Sequence, residues 1–352
     1  MRHRLLPALA ALAAAATLTL SGCASGTGAG AAQADAPPNP DGTPRTLRIG
    51  YQAIPNGDLI VKDLRWLEQA LPHTRVTWSR FESGGDVNTA MVAGSIDIGL
   101  AGSSPVTRGL SAPLNIRYRI PWIFDVIGEN EALVARTATT VGALKGRKIA
   151  TSFSSTAHYS LLAALGEAGL TEGDVTLVDL EPPDIQAAWT RGDIDAAYTW
   201  TPVLGELRKT GKTLVTSKQL AAKGKVTADL AVVRTAFADK YPKALRAWLT
   251  QQDRAVKLVR SDRNAAAAAV GRQLNLPPAE AARQIGQLVL LDAGQQAGPD
   301  YLGTPGKPGR LADDLHNAAR FLHGQKKIPS VPDLTVFQQG LATKELHDAF
   351  PG

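Results

Sequence analysis

Short apolar strands alternate with helical stretches from residue 47 to residue 209, and this alternation constrains the fold more than any other feature of the chain. Residues 47–52 alternate apolar and polar side chains like a strand, and a Pro/Asn/Gly turn separates them from a helical stretch at 58–71. Two further strands and the helix between them are predicted at 76–81, 96–100 and 86–92. Such alternation is typical of mainly parallel sheets with helices on both faces. We therefore predict an α/β fold.

The pattern restarts at residue 147 and indicates an internal repeat. Residues 94–97 read Gly-Ser-Ile-Asp and residues 192–195 read Gly-Asp-Ile-Asp, and each strand that they begin ends in a hydroxyl residue and a proline. Residues 131–136 and 229–234 each consist of an acid, four apolar residues and an arginine. We predict two lobes joined by these two strands, the first formed by residues 47–132 and 230–352 and the second by 133–229.

Hydroxyl side chains open one helix in each predicted lobe. Ser103 and Ser104 follow the strand at 96–100, and Ser154, Ser155 and Thr156 precede the helix at 156–168. The first N–H groups of a helix have no partner within it, and the helix dipole places partial positive charge there, so anions bind at such positions. Helix capping alone is the simpler interpretation of each turn. Two such turns in different lobes favour a cleft that holds an anion from both sides.

The amino terminus has the layout of a secretion signal. Arg2 and Arg4 precede an uncharged apolar run at 5–20, which is short for a membrane span, and Leu-Ser-Gly-Cys at 20–23 is similar to a bacterial lipobox. We predict a signal peptide at 1–22, lipidation of Cys23, and a flexible tether rich in Gly, Ala and Pro at 23–46. Since Cys23 is the only cysteine, no disulfide can form within the chain.

The charge balance argues against a nucleic-acid partner. Removal of residues 1–22 takes away Arg2 and Arg4 and no acid, so the formal net charge falls from +6 to +4. Basic residues are spread evenly and form no dense run with interleaved aromatic residues.

Several motifs, taken in order, identify the chain as similar to the solute-binding proteins of bacterial ABC importers for taurine, within a wider group for sulfonates and nitrate. The motifs lie at 50–52, 81–84, 94–99, 102–105, 155–162, 182–189, 191–198 and 227–230. The resemblance implies a periplasmic-binding-protein fold of type II, whose two lobes close over a small solute. It also implies a monomer without cofactor or catalytic residues, which works with an ABC permease and its ATPase subunits. With Cys23 lipidated, the protein would be anchored on the extracytoplasmic face of the cell membrane.

Taurine carries a sulfonate and an ammonium separated by two methylenes, so its site needs neutral donors at one end and carboxylate or aromatic groups at the other. The two hydroxyl-rich helix starts supply the donors. Asp229 and Glu131 would face the cleft at the strands between the lobes, although each acid could instead pair with a nearby arginine. The candidate ligand-binding residues are Tyr51, Gln52, Ser103, Ser104, Glu131, Ser154, Ser155, Thr156, His158, Trp200 and Asp229. One departure from the family is Ala157, which stands where a threonine is usual.

Other functions are less compatible with these residues. Ser154 and His158 are four residues apart at a helix start, but no nucleophile-elbow glycines and no third member of a triad accompany them. His316 and His323 lie on one helix face without a partner carboxylate motif for zinc. A pyrimidine-precursor synthase for thiamine shares the expected fold, yet its chemistry belongs inside the cell. A receptor domain would need a transmembrane or kinase segment after the lobes.

Overall fold

A computed structural model of the protein describes residues 37–351. The predicted signal peptide, Cys23 and the first part of the predicted tether lie outside the described residues. The last part of that tether is hydrogen-bonded to the folded chain, since the Asn39 side-chain amide donates to the His73 carbonyl at 2.8 Å and the Thr74 hydroxyl donates to the Pro44 carbonyl at 2.7 Å.

The described strands are β1 (Thr46–Tyr51), β2 (Arg75–Arg80), β3 (Ile98–Gly102), β4 (Tyr118–Val126), β5 (Glu131–Ala135), β6 (Lys148–Thr151), β7 (Thr176–Asp179), β8 (Ala196–Trp200), β9 (Lys212–Thr216), β10 (Ala228–Arg234), β11 (Gly303–Thr304) and β12 (Lys307–Pro308). The described α-helices are α1 (Gly57–Asp63), α2 (Trp66–Ala70), α3 (Gly84–Val92), α4 (Ser103–Leu110), α5 (Thr156–Glu167), α6 (Pro182–Arg191), α7 (Val203–Leu207), α8 (Ser217–Ala221), α9 (Thr235–Lys240), α10 (Pro242–Ser261), α11 (Arg263–Leu274), α12 (Pro278–Ile285), α13 (Ala293–Gln296), α14 (Leu311–Gly324), α15 (Leu334–Gly340) and α16 (Thr343–Ala349). None of these helices is long and apolar enough to cross a membrane.

Two five-stranded sheets share one topology. The first has the order β2-β1-β3-β10-β4 and the second has the order β7-β6-β8-β5-β9. In each sheet the fourth strand runs antiparallel to both of its neighbours, while the first three strands in this order are parallel to one another. The predicted α/β fold with two mainly parallel sheets is therefore confirmed, with one antiparallel strand in each.

The internal repeat extends to hydrogen bonds at equivalent positions. The Asp97 carboxylate accepts from the Arg48 backbone N–H at 3.0 Å, and the Asp195 carboxylate accepts from the Lys148 backbone N–H at 2.9 Å. Each aspartate thus ties the start of its strand to the neighbouring parallel strand, β1 in the first sheet and β6 in the second. The repeated motif at 94–97 and 192–195 therefore makes the same contact between strands in both sheets.

The chain passes between the sheets at two adjacent segments. Residues 127–130 connect β4 to β5, and residues 222–227 connect α8 to β10. The Ile127 N–H donates to the Thr227 carbonyl at 3.0 Å, so the two segments lie side by side. The strands predicted to cross between the lobes instead begin directly after the crossings, and β5 lies wholly in the second sheet and β10 in the first.

Elements of the two lobes also contact each other away from these segments. The Phe321 ring of α14 packs edge-on against Tyr159 of α5, with 4.8 Å between the ring centroids. The Lys327 ammonium, just after α14, lies 2.8 Å from the Glu172 carboxylate of the second lobe. These contacts hold the lobes in a closed arrangement around the space between them.

Candidate ligand-binding cleft

A cleft lies between the two sheets, next to the crossing segments. Its lining residues come from both lobes and are Gln52, Ile54, Gly84, Gly102, Pro105, Ile127, Asn130, Glu131, Ser155, Thr156, Trp200 and Asp229. Six residues predicted from the sequence are among them: Gln52, Glu131, Ser155, Thr156, Trp200 and Asp229.

Three helix N-termini meet at one side of this cleft. Gly84 is the first residue of α3, Gly102 is the N-cap of α4, and Ser155 is the N-cap of α5. Each start places unpaired backbone N–H groups and the positive end of a helix dipole toward the same space. The convergence of three such ends, on helices of at least eight residues, makes this side of the cleft suited to an anion.

The hydroxyl groups of Ser155 and Thr156 at the start of α5 are hydrogen-bonded to other groups of the protein. Ser155 Oγ accepts from the His158 N–H at 3.1 Å and donates its proton to the Ser152 carbonyl at 2.6 Å. Thr156 Oγ1 donates to a Glu131 carboxylate oxygen at 2.5 Å. Because each hydroxyl has one proton to donate, the donors left for an anion at this start are backbone N–H groups.

The lobes contact each other where α4 and α5 begin. A Cβ atom on Gly102 would lie 2.5 Å from Thr156 Cγ2, although the Gly102 φ of −65° suits any residue. The need for glycine here is steric: only a residue without a side chain leaves room for Thr156 in the closed arrangement.

Three buried carboxyl groups line the cleft or lie behind it. Asp229 and Glu131 line the cleft and are 5% and 1% exposed, and Asp125 is fully buried. No salt bridge joins any of the three to a lysine, arginine or histidine within residues 37–351. Burial raises the pKa of Glu131 to about 7, and burial together with the nearby Glu131 charge raises the pKa of Asp229 to about 8.

The two cleft-lining acids differ in their hydrogen bonds. Glu131 accepts from the hydroxyls of Thr156, Ser160 and Ser217, at 2.5, 3.3 and 2.7 Å. Asp229 accepts no side-chain hydrogen bond from the described residues and so retains its acceptor capacity for a ligand. The same cleft is thus lined both by helix N-termini and by negative or protonatable groups, since Glu131 contacts the first residue of α5 and Asp229 is paired with Gly102 across the sheet.

The remaining predicted ligand residues do not line the cleft. Ser103 Oγ accepts from the Ala228 N–H at 3.2 Å, and Ser104 is buried in the first turn of α4. Tyr51 packs edge-on against Trp78 with the Lys62 ammonium 5.0 Å from its ring centroid.

Ser154 and His158 contact each other, but not as a nucleophile and base. The Ser154 backbone N–H donates to His158 Nδ1 at 3.1 Å, and the histidine ring stacks on Phe153. His158 Nε2 lies 3.5 Å from Glu172, and burial and the nearby Lys327 charge lower the pKa of His158 to about 4. Since the serine hydroxyl does not take part, this pair lacks the geometry that hydrolysis requires.

Two other predicted positions have ordinary structural surroundings. His316 lies beside Phe337, and His323 Nδ1 is 3.2 Å from the Ile328 carbonyl. No group of three His, Cys, Asp or Glu side chains within residues 37–351 is arranged to hold a metal ion.

The predicted ligand-binding residues do not include six residues that line the cleft or the buried Asp125; the six are Ile54, Gly84, Gly102, Pro105, Ile127 and Asn130. Asn130 lies in a crossing segment, where its side chain accepts from the Gly128 N–H at 2.8 Å. Asp125 is a single acid within the otherwise apolar end of β4, and this was the signal that could have revealed it.

The family model for the substrate-binding domain of ABC-type glycine betaine transport systems matches residues 45–285. The chain belongs to this family of substrate-binding domains, which confirms the predicted class, a solute-binding protein of the ABC-importer type. It is 42% identical over 174 residues to the taurine-binding periplasmic protein of Escherichia coli (strain K12), an alignment that covers 49% of this chain and about half, 54%, of that relative.

Solved structures share the fold at lower identity. The alkanesulfonate-binding protein SsuA from Xanthomonas axonopodis pv. citri, bound to MOPS, aligns with a TM-score of 0.70 and 24% identity over 85% of this chain and 98% of its own. The desulfurization enzyme DSZB aligns with a TM-score of 0.61 and 17% identity over 87% of this chain and 99% of its own. Because binding proteins and an enzyme share this fold, function has to be argued from the cleft.

Proposed function

We propose that this protein is the extracytoplasmic solute-binding component of an ABC importer and that its solute is taurine, held by closure of the two lobes. The observation that carries the proposal is that two kinds of group line one cleft. These are the helix starts at Gly84, Gly102 and Ser155, which suit an anion, and the acids Asp229 and Glu131, which suit a cation. A short zwitterion with a sulfonate and an ammonium can meet both kinds of group at once.

The two acids argue against a plain anion such as nitrate or an alkanesulfonate without an amine. Their ionised forms are costly in a buried site without a basic partner, so beside such a ligand they would stay protonated and make no contact with an opposite charge. An ammonium supplies the missing positive charge and donates to Asp229, whose acceptor capacity is unused. A second carboxylate, Glu131, lies beside it and is held by three hydroxyls.

The same two acids favour an ammonium that carries N–H groups over a quaternary ammonium of the glycine betaine kind. Quaternary ammonium groups cannot donate hydrogen bonds and are held by cages of several aromatic rings. Trp200 is the one aromatic residue among those that line this cleft. We therefore expect N-methylation of the ligand to weaken binding stepwise.

Location and partners follow from the same proposal. Lipidation of Cys23 would hold the protein on the extracytoplasmic face of the membrane, where a monomer would deliver its solute to an ABC permease and its ATPase subunits. The anchor is tested by fractionation, in which Cys23→Ala should appear in the soluble fraction or stay unprocessed. A fully processed, membrane-bound variant would contradict the anchor.

Calorimetric titration of the lipid-free protein with taurine, ethanesulfonate, glycine betaine and nitrate tests the solute. We expect taurine to bind at least tenfold more tightly than the other three. Ethanesulfonate has the same carbon chain without the amine and is the matched control for the contact between the ammonium and the two acids. Equal or tighter binding of ethanesulfonate would overturn the assignment in favour of a general sulfonate site.

A further inference from the structure

Asp125 is a buried acid that the ligand contacts proposed above do not use. It lies in β4 opposite Asp229 of β10, its direct cross-strand partner in the antiparallel ladder. Directly paired residues on adjacent strands hold their Cβ atoms about 5 Å apart on one face of the sheet. Asp125 is fully buried, and neither of its carboxyl oxygens accepts a hydrogen bond from any described residue.

The charges around Asp125 leave few states open to it. The titratable groups that face it are Asp229 on β10 and Glu131 on β5, both acids, and no basic side chain within residues 37–351 compensates them. Three ionised carboxylates would place three negative charges in one buried region against the single positive charge of an ammonium. An ionised carboxylate without hydrogen bonds in such a region is strongly unfavourable.

The hydrogen bonds decide which acid carries a proton. Glu131 accepts from three hydroxyls, which stabilise its ionised form. Asp229 reaches the cleft and can meet a cation there. Asp125 has neither hydroxyl donors nor access to the cleft, so its ionised form has nothing to stabilise it.

We propose that Asp125 stays protonated and donates a hydrogen bond to Asp229. Asp229 also carries a proton in the ligand-free protein, and binding of an ammonium ligand releases this proton to solvent. The inference rests on the proposed function and adds to it a regulation by pH. Asp125 is then a positioning residue, which orients Asp229 toward the ligand without touching the ligand.

The direction of the titrations agrees with this geometry. Burial and the charges of Asp229 and Glu131 hold the pKa of Asp125 well above its usual range, and the pKa of Asp229 is about 8 without a cation. Asp229 is therefore mostly protonated near pH 7 in the free cleft, and an ammonium lowers its pKa. Ligand affinity should then rise with pH, by up to about tenfold per unit below pH 8.

Infrared difference spectroscopy of the ligand-free protein, with and without Asp125→Asn, tests the first half of the proposal. We expect the carbonyl stretch of a protonated carboxyl at pH 10, where Asp229 with its pKa of about 8 is ionised, and we expect Asp125→Asn to remove it. The asparagine has the same shape and can also donate to Asp229. A wild-type spectrum without that band, or a band that the variant keeps, would overturn the proposal whether or not taurine binds.

Calorimetry of taurine binding at pH 7, in buffers of different ionisation enthalpy, tests the second half. We expect nearly one proton released per taurine bound, none released with ethanesulfonate, and less than threefold loss of taurine affinity in Asp125→Asn. Taurine binding without proton release would refute the proton linkage and leave the proposed function intact. A loss in Asp125→Asn as large as in Asp229→Asn would show that Asp125 is an ionised ligand-binding group instead.

Discussion

Replacement of Asp229 by asparagine should separate the contribution of the ligand's ammonium to binding from that of its sulfonate. The side chain is 5% exposed, lines the cleft and accepts no side-chain hydrogen bond from the described residues. Asp229→Asn keeps the shape and removes the charge that would meet an ammonium. A hydrogen bond to a charged group contributes about 1.5–3 kcal/mol, so taurine affinity should fall about 10- to 150-fold.

Ethanesulfonate should not lose affinity in this variant. It brings no cation, so Asp229 stays mostly protonated beside it near pH 7, and a neutral asparagine of the same shape should leave its affinity unchanged. Glu129→Gln is the matched control, because Glu129 is an exposed acid close to the cleft that pairs with Lys218 at 3.1 Å. Calorimetry of both ligands with both variants provides the comparison, and an equal loss for both ligands in Asp229→Asn would refute an ammonium contact.

Three further predictions follow from individual contacts. Ser155→Ala removes the N-cap of α5, so it should lower the free energy of unfolding by about 1 kcal/mol, with less than threefold change in taurine affinity; unchanged stability with a large affinity loss would make Ser155 a direct ligand donor. Gly102→Ala should place its Cβ against Thr156 Cγ2 and weaken taurine binding at least tenfold, and Thr156→Ser, which lacks that methyl, should restore part of it; no loss would mean that closure does not bring these residues together. Burial raises the pKa of Glu131 from 4.5 to about 7, so the folded state binds this proton more tightly than the unfolded state does. The melting temperature of the ligand-free wild type should therefore be lower at pH 8 than at pH 4.5, and the difference should be smaller in Glu131→Gln. A wild-type melting temperature that is the same at both pH values would contradict this.

The architecture was predictable because local sequence patterns determine most of its strands and helices. Alternating apolar residues and helix periodicity predicted the two sheets, and the echo at 94–97 and 192–195 predicted their equivalence. Local patterns failed where tertiary contacts decide. The predicted helix at 58–71 is two helices separated by Arg65, whose φ is +53°, and β9 is a five-residue strand that lay outside the predicted elements.

The cleft was predictable only in part, for a physical reason. A sequence shows which turns begin helices, so Ser155 and Thr156 were found, but it does not show where a side chain points. The hydroxyl of Thr156 is taken by Glu131, and His158 faces Glu172 rather than the cleft. Asp125 joins the site through cross-strand pairing between residues about a hundred positions apart, which periodicity cannot reveal.

A crystal structure of the complex with taurine tests the central claim most directly, because the claim concerns which end of the ligand meets which side of the cleft. We predict that the sulfonate oxygens accept from backbone N–H groups at the starts of α4 and α5, and that the ammonium lies within hydrogen-bond distance of Asp229. A sulfonate placed beside Asp229, or a taurine bound outside this cleft, would contradict the account.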